Sequence, residues 1–229
     1  MPRFIQLVRR RRRLGFCLSR DTGDTRGAGT ASGGRLLIRR SKSEYDMVSM
    51  ATNAKIVGVD PAELRVIRYP DPRLREMSTE IEPSEIGASL AAVVERMFEL
   101  MFESRGVGLA GPQVGLTIRL FVASPTFEPD DRRVYINPRL IALDGQQDGD
   151  EGCLSFPTIS CRVKRYQQAT ISALGPDGHA FEETGQDLAA RIFQHEIDHL
   201  DGRLLVDRMS TVAKLANRRA LKRLEEQFA

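Results

Sequence analysis

The sequence predicts one ordered body of mixed helix and strand, preceded by a basic N-terminal extension. Three observations predict it. Two stretches, residues 84–103 and 188–199, place apolar residues at helical spacing. Between them lie short apolar runs broken by Gly, Pro and acidic turns, which read as strands. Charge divides the chain: residues 1–55 hold 13 Lys and Arg against 4 Asp and Glu, and the remainder holds 21 against 27. The net +3 therefore belongs to the extension, the body is mildly acidic, and overall charge argues for no nucleic-acid partner.

The extension reads unlike a packed fold. Arg9 to Arg13 is an unbroken basic run, and Gly23 to Gly34 is rich in Gly, Thr, Ala and Ser. No apolar run is long enough for a secretory signal or a membrane span. The first twenty residues are Arg-rich and free of acid, as organelle transit peptides are. Three readings stand: a transit peptide, a disordered basic arm, and upstream sequence translated from too early a start. The last is preferred, with Met47 and Met50 as candidate starts. We expect an extension over 1–60 and an ordered domain over 61–229.

The ordered chain is expected to begin near Leu64, with Leu64–Tyr69 as a short strand broken by Pro70-Asp71-Pro72. Ser84 is a candidate N-cap for a helix to Glu103, with Ile86, Leu90, Val94, Met97 and Met101 on its buried face. Strands are expected over Thr117–Ala123, Val134–Asn137 and Leu140–Leu143, then an acidic loop over Asp144–Asp150. Gln168–Leu174 and His179–Glu183 flank Gly175-Pro176-Asp177-Gly178 and predict a hairpin, with His179 an exposed strand residue. Ser210 can cap a last helix carrying five basic residues, with Val212, Leu215, Leu221 and Leu224 available to pack.

Three stretches carry chemistry. The first is Gln194-His195-Glu196-Ile197-Asp198-His199-Leu200, which contains His-Glu-x-x-His. Residues four apart share a helix face, so His195 and His199 can grip one metal from adjacent turns, and Glu196 can reach a water beside it. Leu188, Ile192, His195 and His199 form one stripe, and Gly202 supplies the stop. A helix with two stray histidines is the competing account. Against it, the chain has three His and two of them stand at ligand spacing. The second stretch is Glu151-Gly152-Cys153-Leu154-Ser155, which offers a thiolate. The third is Gly106-Val107-Gly108-Leu109-Ala110-Gly111-Pro112-Gln113, a Gly-dense loop with a side-chain amide at its end. Its spacing is wrong for a dinucleotide site. The odd set Cys17, Cys153 and Cys161 does not read as a disulfide framework.

In this order the three stretches resemble the three signatures of peptide deformylase, and Tyr69-Pro70-Asp71-Pro72 with Leu74-Arg75 resembles that family's N-terminal segment. The resemblance runs from about Leu64 to about Met209. It departs at Gly111, where the family usually has Ala. Gly is smaller, so the loop should still form, with more freedom.

The resemblance implies an α+β fold with antiparallel sheets wrapped around a central metal-bearing helix. It implies metal ligands Cys153, His195 and His199, with Fe(II) as the ion and Zn, Ni or Co able to substitute. Glu196 is then the base, and the Gln113 amide and Leu154 N–H are donors to the developing oxyanion. Val107, Leu188 and Ile192 would wall a methionine pocket, backbone of Gly108 would hold the peptide, and Glu151 would support the site with Arg165 as partner. The implied reaction removes formyl from N-formylmethionyl nascent chains. The implied partners are that peptide and, through the basic last helix, the ribosome. No membrane or DNA partner is expected, and the chain is expected to be monomeric in a bacterial cytoplasm or, with a transit peptide, an organelle. The alternative is a His-Glu-x-x-His metallo-endopeptidase, which would need a third ligand downstream of the helix. A non-catalytic protein with a structural metal would need four protein ligands.

Overall fold

The computed structural model describes residue 56 and residues 58–228. The basic run, the Gly-rich stretch, the candidate starts and Cys17 lie outside the described residues. The ordered elements are α1 (Ala88–Glu103), β1 (Gly108–Ala110), β2 (Leu120–Ala123), β3 (Arg133–Asp144), β4 (Gln147–Cys153), β5 (Phe156–Arg165), β6 (Gln168–Leu174), β7 (Ala180–Gln186), α2 (Leu188–Leu200), α3 (Leu205–Arg208) and α4 (Thr211–Phe228). Short 3-10 turns cover Pro61–Glu63, Pro72–Arg75, Pro83–Glu85 and Gly111–Val114.

Two antiparallel sheets form. One has the order β1-β2-β3-β6-β7, and the other is the β4–β5 hairpin. Side chains alternate across a strand, so successive residues serve opposite cores. Leu109, Leu120, Val122 and Ile136 join the α1 residues Leu90, Val94, Met97 and Met101. Ala110, Phe121, Ala123 and Tyr135 point the other way and join Ile192, Phe193, Ile197 and Leu200 of α2. Both faces of β2 are thus covered, and all four of its residues are buried. A third core joins Cys153, Phe156, Ile159, Cys161 and Val163 of the hairpin to Leu205 of α3 and Leu224 of α4. The helix α2 lies between sheet and hairpin, which is the expected α+β arrangement.

Several boundaries differ from expectation. Leu64–Tyr69 joins no sheet; its Ile67 N–H donates to Gln113 O and its Tyr69 N–H to Ser155 O, so it straps two loops together. Ser84 sits inside a 3-10 turn, and α1 starts after Gly87 without a side-chain cap. Val134–Asn137 and Leu140–Leu143 are one strand, β3, with register shifts between Ile136 and Arg139, where Asn137 takes φ 51°, and between Leu140 and Ala142. Most of the expected loop at Asp144–Asp150 is strand β4, because its backbone pairs with β5 despite an acidic, Gly-rich sequence. Strand β5 itself was not anticipated. The hairpin β6–β7 is in register from Gln168↔Gln186 to Leu174↔Ala180. His179 is exposed in the turn just before β7.

Ser210 caps α4: its Oγ accepts from Ala213 N–H at 3.1 Å. Val212 and Leu215 do not pack; they are 77% and 71% exposed, and α4 instead docks through Ala213, Ala220, Leu221 and Leu224. Ile56 is buried among the α1 core, so the packed chain reaches back beyond Leu64. No helix of the described residues is long and apolar enough to cross a membrane.

Candidate metal centre

Helix α2 carries the centre, and its amphipathic sequence fixes how. Ile192, Phe193, Ile197 and Leu200 bury one side against the sheet. His195 and His199 project from the neighbouring stripe toward the hairpin, with ring centroids 5.0 Å apart. The helix stops at Gly202, whose φ of 69° suits glycine and whose Cα lies against the Arg75 carbonyl.

Cys153 comes from the end of β4, just before the two-residue turn Leu154–Ser155. Its Sγ lies 3.2 Å from His199 Nε2. The donor atoms of Cys153, His195 and His199 lie within 4.8 Å of one another. One thiolate and two imidazoles suit several late divalent ions, and a three-ligand set leaves a position for water. Among the described residues this is the group of His, Cys, Asp and Glu side chains able to hold a metal. The third donor, Cys153, stands upstream of the helix, where an endopeptidase reading would not have it.

The surroundings fit an ion. Burial opposes charge on His195, but the Cys153 sulfur and the Glu151 carboxylate override it and raise its pKa well above the ordinary value. Burial and the neighbouring His195 push His199 well below. A sulfur within reach of two imidazoles is a donor set that can hold a cation in place of a proton. His199 Nδ1 and Glu196 Oε2 are buried without hydrogen-bond partners, two of four such side-chain atoms among the described residues. Glu196 is 4% exposed, and burial raises its pKa to about 7.

Glu151 lies beside the centre, and sequence reading found only half of its surroundings. Its Oε2 lies 3.1 Å from His195 Nδ1, which orients that ring. Arg165 grips it with two bonds, Nε to Oε1 at 2.9 Å and Nη2 to Oε2 at 3.0 Å. Arg191 Nη1 adds a third guanidinium bond to Oε1 at 2.7 Å. Arg165 Nη1 also donates to Asp198 Oδ2 at 2.5 Å, and Arg208 grips both oxygens of Asp198, with Nε to Oδ2 at 2.9 Å and Nη2 to Oδ1. Burial works against charge on Glu151, yet His195 and Arg165 hold its pKa far below the usual carboxylate range. Arg191 and Asp198 were not singled out in the sequence. Their one available signal is helical spacing, since Arg191 precedes His195 by four residues and Asp198 falls between the two histidines.

The Gly-dense loop reaches the centre from the sheet. Gln113 Oε1 accepts from Ala110 N–H at 2.9 Å, which turns Nε2 toward Cys153 Sγ at 3.4 Å and Ser155 Oγ at 3.3 Å. Val107, Leu154, Leu188 and Ile192 line the adjoining cleft, with Gly108 at its edge. At Gly111 a Cβ would lie 2.9 Å from the carbonyl oxygens of both Leu116 and Ile118. The loop forms, as expected, but it has closed around the glycine and has no spare room.

Fold and centre together define a metal-dependent hydrolase, with a His-Glu-x-x-His helix framed by two antiparallel sheets and a cysteine beside the two histidines. Comparison with known proteins agrees. The family model described as polypeptide deformylase matches residues 63–215, and the chain belongs to that family. It is 43% identical over 151 residues to a peptide deformylase of Acidobacterium capsulatum, covering 65% of this chain and 88% of that one. It is 36% identical over 197 residues to an Arabidopsis thaliana protein named peptide deformylase 1B, chloroplastic/mitochondrial, covering 85% and 70%. A crystal structure of peptide deformylase from Plasmodium falciparum superposes with TM-score 0.69 at 35% identity, over 72% of this chain and 96% of that one. The relatives thus span bacteria and a plant protein named for organelles, the two settings the sequence anticipated. The protein is a metal-dependent hydrolase that removes the formyl group from N-terminal formyl-methionine.

Proposed function

We propose that Cys153, His195 and His199 hold one divalent ion, Fe(II) in the cell with Zn, Ni or Co as substitutes, and that Glu196 moves the proton. The convergence of three donors within 4.8 Å beside a buried, unpartnered carboxylate oxygen carries this reading. When bound, such an ion supplies Lewis acidity and lowers the pKa of water towards about 7. Glu196, itself raised to about 7, is matched to take a proton from the attacking water and return it to the leaving amine. Water adds to the formyl carbon, the C–N bond breaks, and formate and a free N-terminal amine leave.

Gln113 Nε2 and the Leu154 N–H are the donors for the oxygen that gains charge. Burial of Gln113 at 1% exposure, with its amide already oriented by Ala110, supports that role. Val107, Leu188 and Ile192 wall the methionine side chain. Strand β1 is the edge of its sheet, so backbone of Gly108 can take the peptide as an added strand. Glu151 and Arg165 hold His195 in place.

Residues 61–229 act as the catalytic unit and 1–60 as an extension, of which Ile56 packs into the core of the unit. The protein works as a monomer without DNA or membrane, and α4 meets the ribosome through Lys214, Arg218, Arg219, Lys222 and Arg223, all exposed. The test of the chemistry is formate release from formyl-Met-Ala-Ser after anaerobic Fe(II) loading. Cleavage of internal peptide bonds without formate release would overturn it. Mass spectrometry of the native N-terminus decides the origin of residues 1–55: a peptide containing Arg20 excludes a start at Met47 or Met50.

A further inference from the structure

We infer that Arg191 is a positioning residue for the metal centre, tying the β4–β5 hairpin to the orientation of His195. Its side chain is 6% exposed. Burying a guanidinium is costly, and Glu151 already has a two-bond partner in Arg165, while Asp198, which Arg165 also touches, has Arg208 as its own partner, so charge neutralisation does not require a further arginine. What Arg191 adds is geometry. Its Nη1 contacts Glu151 Oε1 at 2.7 Å, Val163 O at 3.1 Å and Gly149 O at 3.5 Å, and its Nη2 contacts Gln147 Oε1 at 3.2 Å. These acceptors lie on both strands of the hairpin that ends in Cys153.

The two oxygens of Glu151 are thereby made unequal. Oε1 takes Arg165 Nε and Arg191 Nη1, while Oε2 takes Arg165 Nη2 and lies against His195 Nδ1. A carboxylate saturated on one oxygen cannot turn that oxygen to the imidazole, so His195 has one fixed partner. Fixing the partner of Nδ1 fixes the ring and presents Nε2 to an ion. Gly149 leaves room for this. A Cβ there would lie 3.0 Å from Arg191 Nη2, so glycine permits the guanidinium to cross the strand.

The inference rests on Cys153, His195 and His199 holding a metal, and the experiment separates the two claims. Wild-type protein loaded with Zn(II), or with Co(II) for its visible spectrum, is compared with Arg191→Met, Arg191→Lys and Gly149→Ala. The readouts are the rate of Zn(II) release to a chromogenic chelator, the Co(II) d–d spectrum and the melting temperature. Arg191→Met is expected to release Zn(II) about tenfold faster, the low end for loss of an outer support, with an altered Co(II) spectrum. Arg191→Lys, which keeps the charge but not the fork, should fall between it and wild type. Gly149→Ala keeps every charge and presses on the guanidinium, so about threefold faster release is expected, and it serves if Arg191→Met does not fold. A lowered melting temperature with wild-type release and spectrum in whichever variant folds would overturn the inference, making Arg191 a brace and nothing more. Failure of the wild type itself to take up metal would instead overturn the ligand assignment.

Discussion

The carboxylate of Glu196 lies against the bare α-carbon of Gly108: a methyl there would meet Oε1 and sit 2.9 Å from Cδ. The loop and the helix therefore share one space, and glycine leaves it to the carboxylate. Gly108→Ala should push Glu196 aside and cost roughly 10²-fold in turnover, the scale of a small misplacement of a catalytic group. Glu196→Ala should lose roughly 10²-fold or more while metal stays bound. Wild-type turnover in Gly108→Ala, with the Ala accommodated, would show that the position of Glu196 does not matter.

Each of Cys153→Ala, His195→Ala and His199→Ala should lose stoichiometric metal by elemental analysis after dialysis. All three ligands bind in deprotonated form, so lowering pH should release metal from the wild type and raising it should restore binding. Stoichiometric metal and normal turnover in Cys153→Ala would refute the assignment.

Glu151 is a buried acid between Arg165, Arg191 and His195. Glu151→Gln leaves those cations undercompensated and should destabilise the metal-free protein by about 3–5 kcal/mol in denaturant melts. The sign with pH follows from the lowered folded pKa. The stabilisation is complete above the ordinary glutamate value of 4.5 and declines as pH falls below it, so the wild-type advantage should shrink in acid. A constant gap between the two proteins from neutral to acid pH would contradict this.

Alanine at position 111, the residue more usual in the family, should be worse here. Its Cβ meets two backbone carbonyls at 2.9 Å, and backbone yields less readily than a side-chain tip. Gly111→Ala is expected to cost about 1–3 kcal/mol, as overpacking does, and to lower the melting temperature. A higher melting temperature would mean that the loop relaxes freely.

The ribosome proposal needs a gentler test than removing α4. Leu224 is buried in the hairpin core and Tyr69 Oη donates to Glu225 Oε1 at 3.0 Å, so truncation after Met209 would damage the fold. Charge reversal at exposed Arg218, Arg219 and Arg223 should weaken salt-sensitive ribosome binding and leave turnover on a short peptide unchanged. Unchanged ribosome affinity would remove the proposal.

The parts of this fold that were legible in sequence are those whose burial is periodic. Leu90, Val94, Met97 and Met101 announce α1, and Gly175-Pro176-Asp177-Gly178 announces the β6–β7 turn. Strand β5 was legible and passed over: Ile159, Cys161 and Val163 alternate with Ser160, Arg162 and Lys164, and that parity puts Arg165 on the buried side. Strand β4 was not legible, because Asp148, Gly149 and Asp150 are held in line by pairing with β5 and not by apolar burial. In the centre, the ligand spacing on α2 could be read directly. Arg191 shares that spacing, four residues before His195, but spacing alone does not distinguish a buried arginine from a solvated one.

Cys153 belongs to the core beneath α4, whereas the helix bearing His195 and His199 belongs to the core beneath the five-stranded sheet. An ion held by these three donors would be a rivet across the seam between two packed cores. Its loss, or oxidation of the sulfur, would then do more than silence chemistry. Amide exchange in β4, β5 and α4 would quicken together while β2 and β3 stayed protected, so the resting protein would advertise its metal status through the looseness of one half.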